Sequence, residues 1–190
     1  MKKLILISVA FIGLTAFTQV QELYKTDAPH SQLHFTINHL GISDISGTFD
    51  DFEATLRSGK ADFSDARFEL TAKTISVDTR VEQRDHHLRS ADFLDTETYP
   101  TLVFKSAQLK PNGKNKFKIS GNLTLHGVTK PVTLELAYGG TVLNPANQNQ
   151  VAGFTASGII RRSDFGIGPK FPAPLLSDDI RIVANGEFIK

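Results

Sequence analysis

The sequence predicts an all-β domain, an antiparallel β-barrel of about eight strands with a short helix capping one end. Apolar and polar residues alternate over long runs, which is the pattern of strands with one buried face. Gly, Pro and Asn separate these runs and mark turns. Only the stretch that begins near residue 80 leaves the alternation, and it has the charged composition of a surface helix.

A barrel is favoured over a sandwich by two features of the composition. So many antiparallel strands must hide their edges in one of these two ways. Glycines recur at predicted inward positions, where they would leave space: Gly121, Gly153 or Gly158, and Gly186. After residue 18 the chain also has 12 Phe and no Trp. Any single Phe is explained as an ordinary core residue. Together the Phe residues favour an apolar tunnel, since a barrel of about eight strands can enclose one ligand.

The chain begins with an expected secretory signal peptide, residues 1–18. Lys2 and Lys3 precede an uncharged apolar run over 4–17, and small residues follow it. This run is shorter than the roughly 18 apolar residues of a membrane-spanning helix. We therefore expect export to a bacterial periplasm and a single domain over 19–190, with no integral membrane segment. The sequence has no Cys, which excludes disulfides and lipid attachment at a cysteine.

The first predicted strands are an edge strand over 23–27 and a strong strand over 31–39. The second strand directs four side chains to one face: Leu33, Phe35, Ile37 and His39. A strand over 46–56 follows, and its alternation changes phase at Asp50 and Asp51. This change predicts a β-bulge that bends the strand.

A helix is predicted after the strand or pair of strands over 63–77. Thr79 and Glu82 have the spacing of a capping box, in which each side chain satisfies a free backbone N–H. The run after Val81 is mostly charged and has no β-branched residue, so we expect it to cover the end of the barrel. Pro100 then imposes an extended backbone on the residue before it and starts the next strand.

The remaining strands are predicted over 101–109, 116–125, around 132–136, 151–161 and 179–189. Four more side chains have the inward parity: Phe104, Leu123, Leu125 and Phe188. Residues 139–150 are predicted to be an exposed loop, and 162–177 a long connection that contains Gly and Pro.

Five stretches, taken in order, resemble the YceI-like family: 31–41, Thr79 with 84–93, 99–106, 121–132 and 162–167. The resemblance implies an extended, lipocalin-like barrel in the periplasm that binds a polyisoprenoid or similar amphiphilic lipid. A quinone precursor, a long-chain amide or another fatty lipid fits the same expectation. The lipid tail would then contact Leu33, Phe35, Ile37, His39, Phe104, Leu123, Leu125 and Phe188.

The lipid head group has three candidate partners on the predicted helix: Arg84, His87 and Arg89. These side chains either bind a polar head group or lock the helix onto the barrel rim, and the sequence leaves both roles open. Arg162 and Asp164 present the same two alternatives.

Other function classes find less support in the sequence. With 19 basic and 20 acidic residues after Lys3 and no basic cluster, we expect no nucleic-acid partner. No G-x-S-x-G, H-E-x-x-H or phosphate-loop motif is present, so we expect no enzyme and no cofactor. His39 with Asp44 could form a catalytic dyad on paper, but a buried, hydrogen-bonded His39 is the simpler expectation. His87 with Asp92 is a second such pair.

Two further alternatives stay open. Adjacent His86 and His87 could belong to a metal site, but no other ligand stands at a recognisable spacing, and we expect no metal. A structural or stress-linked periplasmic protein with a filled interior and no ligand is the main rival hypothesis. A hydrolase that acts on a lipid head group is a weaker one.

Overall fold

The computed structural model describes residues 20–190, so the predicted signal peptide over 1–18 lies outside it. The chain forms eleven strands and one α-helix in this range. In order they are β1 (Glu22–Thr26), β2 (Gln32–His39), β3 (Ser43–Phe49), β4 (Phe52–Ser58), β5 (Arg67–Lys73), β6 (Val77–Asp78), α1 (Glu82–Arg89), β7 (Thr101–Pro111), β8 (Lys116–Leu125), β9 (Val128–Leu143), β10 (Gln150–Arg161) and β11 (Leu176–Ile189). None of the helices in the described range is long and apolar enough to cross a membrane.

The strands close into an antiparallel barrel. Its hydrogen-bonded order is β1-β4-β5-β7-β8-β9-β10-β11, and β11 pairs back with β1 to complete the circle. Strand β2 pairs with the first part of β11, β3 pairs with β2, and β6 pairs with β3. The pairs β1–β2, β3–β4 and β5–β6 are therefore halves of long bent strands. Counted in this way, the barrel has the eight strands that the sequence predicts.

The phase change at Asp50 and Asp51 is a break between two strands rather than the predicted bulge. Strand β3 ends at Phe49 and β4 begins at Phe52. Hydrogen bonds continue across the break, because the Asp50 N–H donates to Ser76 O and the Asp51 carbonyl accepts from Lys73 N–H. Four residues, 73–76, lie opposite Asp50 and Asp51, so the sheet bends where the two neighbouring strands differ in length.

The predicted capping box does not form. Helix α1 begins at Glu82, and no side chain caps its first turn. Between Thr79 and the helix, Arg80 adopts a left-handed conformation with φ +62°. The Thr79 hydroxyl donates instead to the carboxylate of Asp85, which also accepts the Thr79 backbone N–H at 2.8 Å. The pair fixes the start of the helix to the end of β6.

Of the glycines expected to leave empty space, Gly121, Gly158 and Gly186 do not, whereas a Cβ on Gly153 would meet no atom within 4 Å. A Cβ on Gly121 would lie 2.8 Å from the ring of Phe104, and one on Gly186 would lie 2.8 Å from the hydroxyl of Ser31. These glycines allow neighbouring side chains and backbone to approach closely.

The connections divide the barrel into two ends. The helix end carries the β2–β3 turn, residues 79–100 with α1, the β8–β9 turn and residues 162–175. The aromatic end carries residues 59–66, 112–115 and 144–149. The last of these loops is shorter than predicted, because β9 continues through paired Gly140 to Leu143. Buried rings of Tyr24, Phe63, Phe68, Phe154 and Phe188 pack edge to face across the aromatic end and close it.

Candidate functional site: the barrel cavity

The barrel encloses a cavity of about 550 Å³, a volume typical of small-molecule sites. Its lining is almost entirely apolar, and Phe68, Phe154 and Phe188 of the aromatic end form its floor. At the helix end the lining includes exposed side chains, His87 and Leu175. We therefore place the mouth of the cavity at the helix end.

The cavity is long in the strand direction. Strand β11 contributes lining residues at every second position from Ile180 to Phe188. Eight residue steps span about 26 Å at the ~3.3 Å rise of a strand. With the tilt of about 40° that is usual for barrel strands, this corresponds to roughly 20 Å along the barrel axis. The shape suits a chain-like ligand.

All eight candidate tail-binding residues line the cavity. They are Leu33, Phe35, Ile37 and His39 on β2, Phe104 on β7, Leu123 and Leu125 on β8, and Phe188 on β11. The two-residue period of each strand brings them together, as the parity argument requires. Their contact with a ligand stays a prediction.

Several residues that line the cavity are not among those predicted from strand parity in the sequence. Nine of the twelve Phe in the described residues line the cavity, including Phe154 on β10 and Phe93 and Phe171 in the irregular segments of the helix end. The alternation of β10 could have identified Phe154. No periodic signal marks Phe93 or Phe171, because neither lies in a regular element.

Arg84 is the candidate head-group residue with free donors. It is half-buried, lines the cavity, and donates from Nε to Thr79 Oγ1 (2.8 Å) and from Nη2 to Thr79 O (2.9 Å). A guanidinium has five N–H groups, so three are left for a ligand. No carboxylate within residues 20–190 pairs with Arg84.

Arg89 and Arg162 have structural roles instead. Arg89 does not line the cavity, and it donates to the carbonyls of Ile75 (2.9 Å) and Val77 (2.8 Å), which locks α1 onto β6. Arg162 lines the cavity and is only 6% exposed. All five of its N–H groups donate to carbonyls of the connection that follows it: Ile167, Gly168, Phe171, Leu176 and Ser177. It has no donor left for a ligand.

Five residues close part of the mouth, and we call them the mouth clasp: His87, Asp92, Phe93, Lys170 and Phe171. The rings of Phe93 and Phe171 stack with centroids 4.9 Å apart, and His87 contacts both rings edge-on. Asp92 binds Lys170 (2.7 Å) and His87 Nε2 (3.4 Å), and these hydrogen bonds lower the pKa of its carboxyl. The clasp joins the segment around α1 to the 162–175 connection.

The family is shown by comparison with known proteins. The model of the YceI-like domain matches residues 24–188. The chain belongs to the YceI-like family. Protein YceI of Escherichia coli O157:H7 is 42% identical over 168 residues, which cover 87% of each chain. The crystal structure of the Campylobacter jejuni YceI protein has a TM-score of 0.73 and 31% identity, and the match covers 81% of this chain and 90% of that one.

A structure of lower sequence identity has a similar fold. A polyisoprenoid binding domain from Saccharophagus degradans superposes with a TM-score of 0.68 at 15% identity. The match covers 87% of this chain and 97% of that domain. At this identity the comparison supports the barrel fold alone.

The pairs considered for catalysis or metal binding take other roles in the YceI-like barrel. His39 is half-exposed and its ring makes no hydrogen bond within residues 20–190, so the expectation of a buried, bonded histidine is wrong. Asp44 accepts from Asn38 (3.0 Å) and pairs with Arg181, not with His39. These hydrogen bonds lower the pKa of the Asp44 carboxyl, with Asn38 contributing most.

Of the two histidines of α1, His87 contacts the carboxylate with which the sequence pairs it. His87 bonds to Asp92, but no hydrogen bond in the described range joins its ring to a Ser or Thr hydroxyl. The one three-residue group there with metal-ligand geometry is Asp27, His30 and Glu187 on the barrel wall, and it includes neither His86 nor His87.

Proposed function

We propose that this protein is a non-enzymatic binder of a long-chain lipid, of polyisoprenoid or similar amphiphilic type. The lipid tail occupies the barrel cavity and its head group stays at the mouth. The observation that carries this proposal is the long, apolar cavity of about 550 Å³ with the guanidinium of Arg84, which keeps three N–H groups free of protein partners, beside its mouth. A polyisoprenoid binding domain with the same fold supports it.

Burial of the tail supplies the affinity. Each buried CH₂ contributes about 0.8 kcal/mol, so ten buried carbons contribute about 8 kcal/mol before the free energy lost on association is subtracted. The lining offers few polar atoms, so it selects for apolar character and for length rather than for a particular tail. The floor of Phe154 and Phe188 limits how deep the tail can go.

The head group is recognised by its acceptor atoms. The three free N–H groups of Arg84 can donate to a phosphate, a carboxylate, or the carbonyl of a quinone precursor or a long-chain amide. Arg162 adds positive charge nearby, but its donors are already used. The mouth therefore favours heads that accept hydrogen bonds.

We also propose that residues 1–18 direct export and that the protein acts in the periplasm as a carrier or scavenger. An apolar tail is poorly soluble in an aqueous compartment, and the barrel would shield it from water. A filled interior would have supported a structural protein without a ligand. The cavity instead supports a binding role.

A pair of neighbouring substitutions on β11 tests the proposal. Ala184 lines the cavity, whereas the Val183 side chain is 37% exposed on the outer face. Ala184→Phe should fill part of the cavity and weaken binding of geranylgeraniol at least tenfold, because several CH₂ groups of the tail lose their place. Val183→Phe should bind as the wild type does. Equal binding by both variants, each folded by circular dichroism, would show that the tail does not enter the barrel.

A further inference from the structure

The β2–β3 turn exposes large apolar side chains at the helix end. Leu40 is 49% exposed and Ile42 is 82% exposed. Leu175, which is 40% exposed, lies beside the turn because the Leu40 N–H donates to its carbonyl at 3.1 Å. We call Leu40, Ile42 and Leu175 the rim patch.

The backbone of this turn is poorly matched to its apolar residues. His39 and Ser43 pair across the base of a three-residue loop, in which Leu40 has φ +56° and Gly41 has φ +72°. A positive φ is uncommon for a bulky side chain, and Gly, Asn or Asp are the usual residues in such turns. Folding thus gains no local preference and only partial burial from Leu40. Departures of this kind from local sequence preference tend to occur at functional sites.

The rim patch is continuous with the cavity mouth. Leu175 belongs to the cavity lining, and so do His39 and Ile45, which flank the turn on β2 and β3. A ligand that leaves the mouth on this side would pass directly over the patch.

Three acidic residues at the helix end form ion pairs, but Asp178 and Asp179, which share a surface pocket with Gly41 of the turn, form none within residues 20–190. Asp44 pairs with Arg181, Asp164 with Arg161 (3.3 Å), and Asp92 with Lys170 (2.7 Å). These three basic residues are all paired, and Asp178 and Asp179 add negative charge beside the turn, so the surroundings do not attract an anionic surface. The patch fits the apolar interface of a bilayer of zwitterionic lipids.

We propose that the rim patch inserts into the interfacial region of a lipid bilayer, with the cavity mouth facing the membrane. Leu40, Ile42 and Leu175 bury their apolar surface between the lipid head groups. A lipid then passes between bilayer and barrel without crossing bulk water. The inference rests on the proposed function, because a membrane lipid is the ligand that this orientation would serve.

Flotation with vesicles tests the docking step. The protein without residues 1–18 should float with vesicles of dioleoyl phosphatidylcholine, and about 0.5 M NaCl should not release it, since screening weakens only exposed charge interactions. The double variant L40N/I42S should partition about tenfold more weakly, from the loss of two partly buried apolar side chains. Leu40→Asn suits a positive φ, so the turn itself should be preserved.

A matched control lies at the opposite end of the barrel. Val142 and Leu143 are 66% and 63% exposed near the aromatic end. The variant V142S/L143S removes a similar apolar surface and should float as the wild type does. Equal loss of flotation in both double variants would overturn the proposal, and so would a wild-type protein that stays in solution. A dimer that L40N/I42S disperses would assign the patch to self-association instead.

A second readout separates docking from lipid binding. L40N/I42S should bind geranylgeraniol supplied in detergent with unchanged affinity, but should take it up from vesicles several-fold more slowly. If the wild type floats but does not bind geranylgeraniol, the proposed ligand class is wrong and the docking surface stands. If uptake from vesicles is as fast in the variant as in the wild type, the docking proposal is wrong.

Discussion

Replacement of Arg162 by Met should strongly destabilise the barrel. The side chain is 6% exposed, and its five N–H groups hold the carbonyls of residues 167–177 in place. A hydrogen bond from a charged donor contributes about 1.5–3 kcal/mol, but carbonyls in this half-buried connection would regain water. We therefore expect a loss of about 3–5 kcal/mol in the free energy of unfolding, at the upper end of single substitutions because a buried hydrogen-bond network is removed.

Urea unfolding followed by far-ultraviolet circular dichroism measures this loss. The adjacent Arg161 provides a matched control, because its side chain is 63% exposed and only pairs with Asp164 at the surface. Arg161→Met should change the free energy of unfolding by about 0.5 kcal/mol or less. If Arg162→Met lies within about 1 kcal/mol of the wild type, the connection does not depend on this arginine and our account of the helix end is wrong.

Three further predictions concern pH, the head group and the mouth clasp. Burial raises the pKa of Asp178, but hydrogen bonds from the Ser163 hydroxyl and N–H outweigh it and lower the pKa overall. The stability that the ionised carboxylate contributes should therefore be lost as pH falls below about 4. In acid titrations followed by circular dichroism, the stability of Asp178→Asn should fall less steeply than that of the wild type over this pH range. In calorimetry, Arg84→Gln should weaken binding of geranylgeranyl phosphate about tenfold or more and leave binding of geranylgeraniol nearly unchanged. Equal effects on both ligands would argue against a head-group role for Arg84. Phe171→Ala should speed lipid release several-fold in stopped-flow measurements, because it removes two ring contacts of the mouth clasp. Lys170→Met removes only an exposed ion pair, so it should change the release rate less than about twofold.

The strands and the cavity wall could be predicted from the sequence because both depend on the two-residue period of a strand. All eight candidate tail residues lie on the inner face for this reason. The mouth could not be predicted in the same way. Phe93 and Phe171 lie in irregular segments, and their stacking depends on how those segments pack.

Side-chain partners at the helix end also escaped prediction. The sequence alone favours Thr79 as a helix cap, but the left-handed Arg80 brings its hydroxyl to Asp85 instead. Arg84 and Arg89 look equivalent in the sequence, yet only Arg84 lines the cavity. The difference arises because Arg89, about one and a half helical turns further on, faces β6 and bonds to its carbonyls.

Native mass spectrometry of the protein without residues 1–18, combined with organic extraction, tests the central claim most directly. We expect one bound molecule per barrel, and extraction should yield a lipid with a long apolar tail. A protein that purifies without ligand and keeps its unliganded mass after incubation with geranylgeraniol and long-chain fatty amides would contradict the claim that the cavity binds lipid.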